Sequence, residues 1–226
     1  AYAILGIYHF LDRFRGASRF RWLLEKFANN LLESYKAHKT SNWLWFEDIL
    51  TYGNSKLAEA LFRAYQCEGN QEFLDTAIES LGFLTEVQWN GLYFELVGNE
   101  GWYPKNGTKA VFGQQPIDAG YLVEAYLAAH QVTGDNNYLI HAQHSFEWFL
   151  GRNRLNESLY DFSDGSVSDG IDSTGVSANQ GAESVICFLL ALIGLSELKS
   201  QLLTFSGKHT HDDIETSNHG SAGALK

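Results

Sequence analysis

The sequence predicts an all-α protein built from helical hairpins. Apolar residues recur at i, i+3, i+4 and i+7 in successive segments, which is the spacing of amphipathic helices. The chain also repeats itself at a shift of 65 residues, because Leu57, Glu59, Ala60 and Gly69 recur as Leu122, Glu124, Ala125 and Gly134. A third copy begins where residues 114–118 return as residues 179–183. Such self-similarity is typical of repeat architectures.

Each repeat is predicted to hold two helices joined by a tight turn. Gly69 and Gly134 can end a helix in the left-handed conformation, and Asn70 and Asp135 can cap the next one. The pattern predicts seven helices, at about 2–14, 20–38, 47–66, 71–88, 115–133, 136–151 and 180–199. These form three hairpins plus one helix.

The connections between hairpins are long. Residues 89–114 and 152–179 are rich in glycine and aromatic residues, with strand-like runs such as 91–96. Loops of this length in a compact domain are more often functional than accidental. Each precedes the first helix of a hairpin, so we expect both at one end of the assembly. We expect a single domain over 1–205 and a flexible tail over 206–226.

Composition excludes several classes of function. The formal charge of -11 and the lack of a Lys/Arg cluster argue against a nucleic-acid partner. The longest apolar run, residues 185–195, is shorter than a membrane span. Cys67 and Cys187 are too few for a disulfide framework. No phosphate-binding loop or nucleophile elbow is present, so no cofactor is predicted.

Aromatic residues and carboxylates are combined at the loop-bearing end, and this pairing suits a sugar, whose C–H faces stack on rings while its hydroxyls need polar partners. The aromatic candidates are Trp43, Trp45, Trp89, Tyr93, Trp102, Tyr103 and Tyr160. The alternative for any one of them is that its ring fills the space between helices and closes a loop.

Four carboxylates are candidates for acid and base chemistry. Glu47 and Asp48 are expected at the start of the third helix, and Asp118 and Glu183 occupy equivalent first-turn positions in later repeats. Acids on separate helices can meet across a glycosidic bond. The alternative is structural, because a first-turn acid also complements the helix dipole. The position matching Asp118 in the earlier repeat is Gly53.

No metal site is predicted. Asp161, Asp164, Asp169 and Asp172 crowd one loop, where calcium is an alternative but turn formation by Asp-Gly is the simpler explanation. His141 and His144 lie three residues apart without an evident third ligand, and we interpret them as surface residues.

Five motifs resemble a bacterial α-toroid domain that is commonly C-terminal to a two-Rossmann glycosyltransferase. They are residues 45–54 (WFEDILTYGN), 97–103 (VGNEGWY), 112–118 (FGQQPID), 149–153 (FLGRN) and 175–184 (GVSANQGAES). The resemblance covers about residues 1–200. It implies helical hairpins arranged as part of an (α/α)6-type toroid, related to six-hairpin glycosidases and sugar epimerases, with a saccharide cleft at the loop-bearing end.

The resemblance also implies the residues of the cleft. They are Glu47, Asp48, Trp102, Gln114, Gln115, Asp118, Asp172, Asn179, Gln180 and Glu183. From the aromatic set, Trp45 and Tyr103 are added as substrate-binding residues. A closed ring of six hairpins has twelve helices, whereas seven are predicted here. We therefore expect an upstream part to be missing, as the absence of methionine and the start in mid-pattern also indicate. A second copy covering the open edge is an alternative.

These observations favour a carbohydrate-active toroid of a glycosyltransferase-type protein that binds an oligosaccharide. If the domain is catalytic, hydrolysis with Asp118 and Glu183 as acid and base is the expected reaction. One alternative is a noncatalytic module that binds the acceptor glycan or docks onto the transferase domain. Another is a helical scaffold for protein partners, against which the long loops argue. The cysteines and the transferase likeness favour the cytoplasm.

Overall fold

The computed structural model describes residues 1–198, and this part of the chain is predominantly helical. The α-helices are α1 (Tyr2–Arg13), α2 (Ser18–His38), α3 (Ser55–Glu68), α4 (Gln71–Gln88), α5 (Pro116–Thr133), α6 (Asn137–Glu147) and α7 (182–198). A short 3-10 helix, Trp148–Leu150, follows α6. The predicted all-α class is confirmed. The expected tail over 206–226 and the end of the expected domain lie outside the described residues.

The two predicted tight turns are confirmed. Gly69 (φ 68°) and Gly134 (φ 72°) end α3 and α5 in the left-handed region. The side chain of Asn70 accepts a hydrogen bond from the backbone N–H of Glu72, and Asp135 accepts one from the N–H of Asn137. The first pair therefore stops α3 and caps α4. In the second pair Gly134 stops α5, while the N-cap of α6 is Asn136 and Asp135 binds the first N–H of that helix. These turns form the hairpins α3–α4 and α5–α6.

The helices lie in an inner and an outer row. Helix α3 packs against α1 on one side and α5 on the other, while α2, α4 and α6 are their hairpin partners. Contacts between α3 and α5 keep a nearly constant offset in sequence, from Gly53 to Asp118 and from Arg63 to Gln131. A constant offset means that the two helices run parallel, so their N-termini lie at one end. Helix α5 is buried on most of its surface.

Loop residues contribute much of the core at this end. The largest fully buried side chains include Trp45 and Phe46 before α3, Phe94 after α4, and Trp148 and Phe149 after α6. The loops are therefore packed onto the helices by their aromatic residues. This anchoring fixes the backbone around the helix N-termini.

Short strands connect the loops to one another. Strand β1 (Ile49–Leu50) pairs antiparallel with β2 (Tyr103–Pro104), and β3 (Ile171–Asp172) pairs with β4 (Gly175–Val176). A bridge between Gln114 and Ile171 connects the loop before α5 to the loop before α7. The connections before α3, α5 and α7 thus form one continuous layer.

The predicted start of the third helix is wrong. Helix α3 begins at Ser55, and residues 47–54 form β1 and a turn instead. Strand pairing with β2 and the positive φ of Gly53 (64°) prevent the helix from extending to residue 47. Glu47 and Asp48 therefore lie in a loop and not in a helical first turn. The run 91–96 is not a strand and forms only the bridge between Trp89 and Phe94.

Two further expectations concern the cysteines and the membrane. Cys67 is partly buried, Cys187 is buried, and both are free thiols. None of the helices in the described part of the chain is long and apolar enough to cross a bilayer.

Candidate functional site

Equivalent positions of the hairpin repeat meet at the loop-bearing end. Gly53 and Asp118 lie one repeat apart, and the backbone N–H of Gly53 donates a 2.7 Å hydrogen bond to Oδ1 of Asp118. The next equivalent position is Glu183, at the start of α7, whose charge acts on Asp118. These three residues, which we call the repeat row, lie at the N-terminal ends of neighbouring inner helices. Gly53 is two residues before α3, and Asp118 and Glu183 are in the first turns of α5 and α7.

Asp118 is the buried carboxyl group of the row. Its side chain is 6% exposed, and Oδ2 has no hydrogen-bond partner within residues 1–198. Burial raises the pKa of Asp118 to about 7, the N–H of Gly53 opposes this shift, and the negative charge of Glu183 adds to it. Asp118 is thus divided between its protonated and ionised forms near neutral pH, as a general acid requires.

A small cavity lies beside Gly53. It measures about 220 Å³ and is lined by the start of α1, the loop before α3 and the first turn of α3, including Tyr2, Glu47, Thr51, Tyr52 and Lys56. A Cβ atom at Gly53 would lie 3.4 Å from the hydroxyl of Tyr2 and 3.6 Å from the ring of Tyr121. Gly53 itself lines the cavity, so the cavity adjoins the backbone N–H that binds Asp118.

Tyr52 lines this cavity, and Trp102 packs beside Tyr52. Tyr52 is 59% exposed, and its ring centroid lies 6.1 Å from that of Trp102 at an angle of 37°. Trp102 has a φ of 57°, which is uncommon for a bulky residue, and its N–H is bound to the carbonyl of Gly98. Strained backbone of this kind is concentrated at functional sites. The sequence prediction omitted Tyr52, although its place directly before Gly53 in an aromatic motif could have indicated it.

Several predicted binding residues lie beneath the surface. Trp45 is fully buried, and Oε1 of Gln114 accepts hydrogen bonds from the N–H of Leu96 and from Nε1 of Trp148. Trp43 is also buried and packs edge-on against Tyr103. These residues hold the loops in place, so the alternative interpretation of the aromatic residues applies to Trp43 and Trp45.

The other predicted site residues lie in separate parts of the loop layer and do not line the cavity beside Gly53. Asp48 is exposed and forms a 3.0 Å ion pair with Lys105, which also donates to the carbonyl of His38. Gln115 precedes α5 without a side-chain capping bond, and Asp172 lies in the β3–β4 hairpin. The remaining residues of the set are Asn179 and Gln180, both exposed before α7. Gln180 lines a separate cavity.

A buried ionic cluster lies deeper on the inner face. Nζ of Lys56 donates to Oε2 of Glu59 at 2.7 Å and also contacts Glu124, and it sits 4.3 Å from the centroid of the Tyr121 ring. A cavity of about 530 Å³ lies against this cluster, between α1, α3, α5 and α7. The cluster joins α3 to α5 one helical turn below the repeat row.

The aspartate-rich loop forms turns. Asp161 and Asp164 accept hydrogen bonds from the N–H groups two residues later, which confirms the turn interpretation for these two. Asp169 instead caps α7, because Oδ1 accepts from the N–H of Gly181 and from the hydroxyl of Ser184. Within residues 1–198, no three His, Cys, Asp or Glu side chains are grouped as metal ligands.

The surface interpretation of His141 and His144 is wrong. Both are partly buried, His144 stacks on Trp89 with the rings 3° from parallel, and His141 packs against Phe94. They face the loop after α4, which covers this side of α6. Burial lowers the pKa of His141, and the neighbouring His144 lowers it further by a smaller effect.

Comparison with known proteins gives the class of fold. No protein-family model and no curated protein sequence matches the chain. The structure is similar to that of a glycoside hydrolase family 76 (mannosidase) Bt3792 from Bacteroides thetaiotaomicron VPI-5482, with a TM-score of 0.51 and 14% identity. The match covers 66% of this chain and 40% of that protein, so this chain spans well under half of its length. The fold is therefore that of an α/α-hairpin toroid, in part.

Proposed function

We propose that this chain is part of a carbohydrate-active helical toroid that binds an oligosaccharide beside the repeat row. The observation that carries the proposal is Asp118, a buried carboxyl with a pKa of about 7 that is bonded to Gly53. Gly53 lines a cavity together with Tyr52, whose ring packs beside Trp102. The aromatic faces suit the C–H surfaces of sugars, and carboxyl groups suit their hydroxyls.

The chemistry that fits this arrangement is glycoside hydrolysis. Asp118 in its protonated form would give its proton to the leaving oxygen, and the exposed Glu183 would act as the base that activates water. The structural neighbour is a mannosidase by name, which supports a glycoside as the substrate class. The link to a glycosyltransferase polypeptide is supported by the sequence resemblance.

The experiment is saturation-transfer NMR of the purified chain with mannotetraose, maltotetraose and galactotetraose, followed over hours. Magnetic saturation passed from protein protons to sugar protons reports binding, and new anomeric signals report cleavage. Asp118→Asn and Glu183→Gln should abolish cleavage, while Glu86→Gln, on the exposed face of α4, should leave it unchanged. Cleavage that survives both acid substitutions would exclude these residues as the catalytic pair.

A noncatalytic module is the second candidate, and one observation favours it. Oδ2 of Asp118 is buried, so a leaving group could reach it only after the surrounding side chains move. Such a module would give saturable transfer without new anomeric signals, and Tyr52→Ala or Trp102→Ala would weaken the transfer. If no sugar shows transfer, the carbohydrate proposal fails.

A further inference from the structure

A second polar and aromatic cavity lies on the hairpin of residues 160–167, which precedes β3 and is closed by the bridge between Tyr160 and Val167. It measures about 450 Å³ and is lined by Tyr160, Asp161, Phe162, Ser163, Ser168 and Gln180, among others. None of its lining residues belongs to the cavity beside Gly53. Phe162 is 77% exposed at the tip of this hairpin.

The aromatic side chains of this cavity pack on one another and on α7. The ring of Tyr160 is stacked on Phe188 of α7, with centroids 4.5 Å apart, and Phe162 meets Tyr160 edge-on at 4.9 Å. Phe162 is therefore exposed but not free to collapse onto the surface. A pre-positioned ring loses little conformational entropy when a ligand packs on it.

The backbone beneath Phe162 is equally constrained. Tyr160 pairs with Val167 in a bridge, and Oδ1 of Asp161 accepts from both the N–H and the hydroxyl of Ser163. Asp169 then ties the end of this hairpin to the first turn of α7. The hairpin thus holds its exposed ring in a fixed place relative to the helix.

Some polar side chains of the cavity have donors and acceptors that are available to a ligand. Within the described chain, the amide of Gln180 and the hydroxyl of Ser168 make no side-chain hydrogen bond, and no Lys or Arg lines the cavity. A cavity without a cation does not suit a phosphate or carboxylate ligand. An aromatic face beside an amide, hydroxyls and one carboxylate suits a neutral polyhydroxylated ring.

We propose that the Phe162 cavity is an accessory carbohydrate subsite, separate from the repeat row. This inference rests on the proposed function only in its class of ligand, and it assigns no catalytic role. The subsite would hold a sugar unit against Phe162 while Gln180 and Asp161 bind its hydroxyls.

The test is aromatic NMR of the chain labelled with ¹³C-phenylalanine, titrated with mannotetraose, maltotetraose and galactotetraose. Phe162→Ala identifies the resonance, which should shift saturably with at least one of these sugars. The same substitution should weaken binding of that sugar by on the order of 2- to 10-fold. Phe14→Ala is the control, because Phe14 is also exposed but lies at the α1–α2 turn.

The outcomes separate this inference from the proposed function. A shift of Phe162 that persists in Tyr52→Ala and Asp118→Asn supports an independent subsite, even if the repeat row binds nothing. The inference would be overturned if saturation transfer to a sugar depends on Tyr52 and Trp102 while the Phe162 resonance does not shift. That result would leave the proposed function intact. The absence of any response of the Phe162 resonance to the three sugars would also overturn it.

Discussion

The backbone N–H of Gly53 donates a 2.7 Å hydrogen bond to the carboxylate of Asp118, exactly one repeat further along the chain. The same offset relates Lys56 to Tyr121, whose ring lies 4.3 Å from the ammonium group. Equivalent positions on α3 and α5 therefore touch each other. Residues at equivalent positions of the repeat therefore form part of the contact between the α3 and α5 hairpins.

Asp118→Asn should change how stability depends on pH. The pKa of Asp118 is raised from 3.8 to about 7 in the folded chain, so between these pH values the folded state binds a proton that the unfolded state has released. Its stabilising effect is complete below pH 3.8 and is lost as the pH rises through 7. The loss amounts to at most about 4 kcal/mol.

The asparagine variant lacks this titration but keeps an acceptor for Gly53. Its unfolding free energy, measured by urea denaturation from pH 4 to pH 8, should therefore rise relative to that of the parent chain. A difference that stays constant over this range would show that Asp118 ionises normally.

Gly53→Ala should destabilise the chain by about 1–2 kcal/mol. A φ of 64° is unfavourable for alanine, and the added Cβ would lie 3.4 Å from the hydroxyl of Tyr2. Gly82→Ala is the matched control, since Gly82 lies on the exposed side of α4 with no atom near the new Cβ. Thermal unfolding should show stabilisation by about 0.5–1 kcal/mol for the control. Equal effects of the two substitutions would contradict the strain at Gly53.

Lys56→Met should cost about 3–5 kcal/mol, because it leaves Glu59 and Glu124 without their buried counter-charge. Lys36→Met removes the partner of Glu72 in an exposed pair and should cost less than about 1 kcal/mol. Chemical denaturation of both variants measures the contrast. Replacing Lys56, Glu59 and Glu124 together by methionine should recover much of the loss, and no recovery would indicate that the charges themselves are needed.

Asp169→Ala should loosen the start of α7. The substitution removes the acceptor for the N–H of Gly181 and for the hydroxyl of Ser184, at a cost of about 1–2 kcal/mol. Hydrogen exchange of the Val185 amide, which is bonded to the carbonyl of Gly181, should become faster. Asp164→Ala, in an exposed turn, is the control and should leave that amide unchanged. Equally fast exchange in both variants would show that Asp169 is not the cap.

Local signals predicted the helices and their turns well. The spacing of apolar residues locates α4 and α5, and Gly69 and Gly134 mark helix ends because their left-handed backbone has a direct sequence signature. The start of α3 was missed for a nonlocal reason. Its limit is set by pairing of β1 with β2, more than fifty residues away, which no helical pattern at residues 47–54 reveals.

The candidate site was predictable only in part. Asp118 and Glu183 follow from the repeat, but the burial that shifts the pKa of Asp118 depends on tertiary packing. Trp45 and Tyr52 are both aromatic residues of one motif, yet one is fully buried and the other is exposed. Composition cannot distinguish them, because only the folded loop decides which ring faces inward.

The repeat row has a consequence for how this chain can be altered. The duplicated backbone supplies the same location on consecutive inner helices, and the sequence fills it with no side chain at Gly53, a buried acid at Asp118 and a solvent-facing acid at Glu183. The backbone is thus repeated, whereas the side chains at the three positions differ. The acidity of this end can be altered at Asp118 and Glu183 without a change of backbone, while the positive φ of Gly53 (64°) keeps that position free of a side chain.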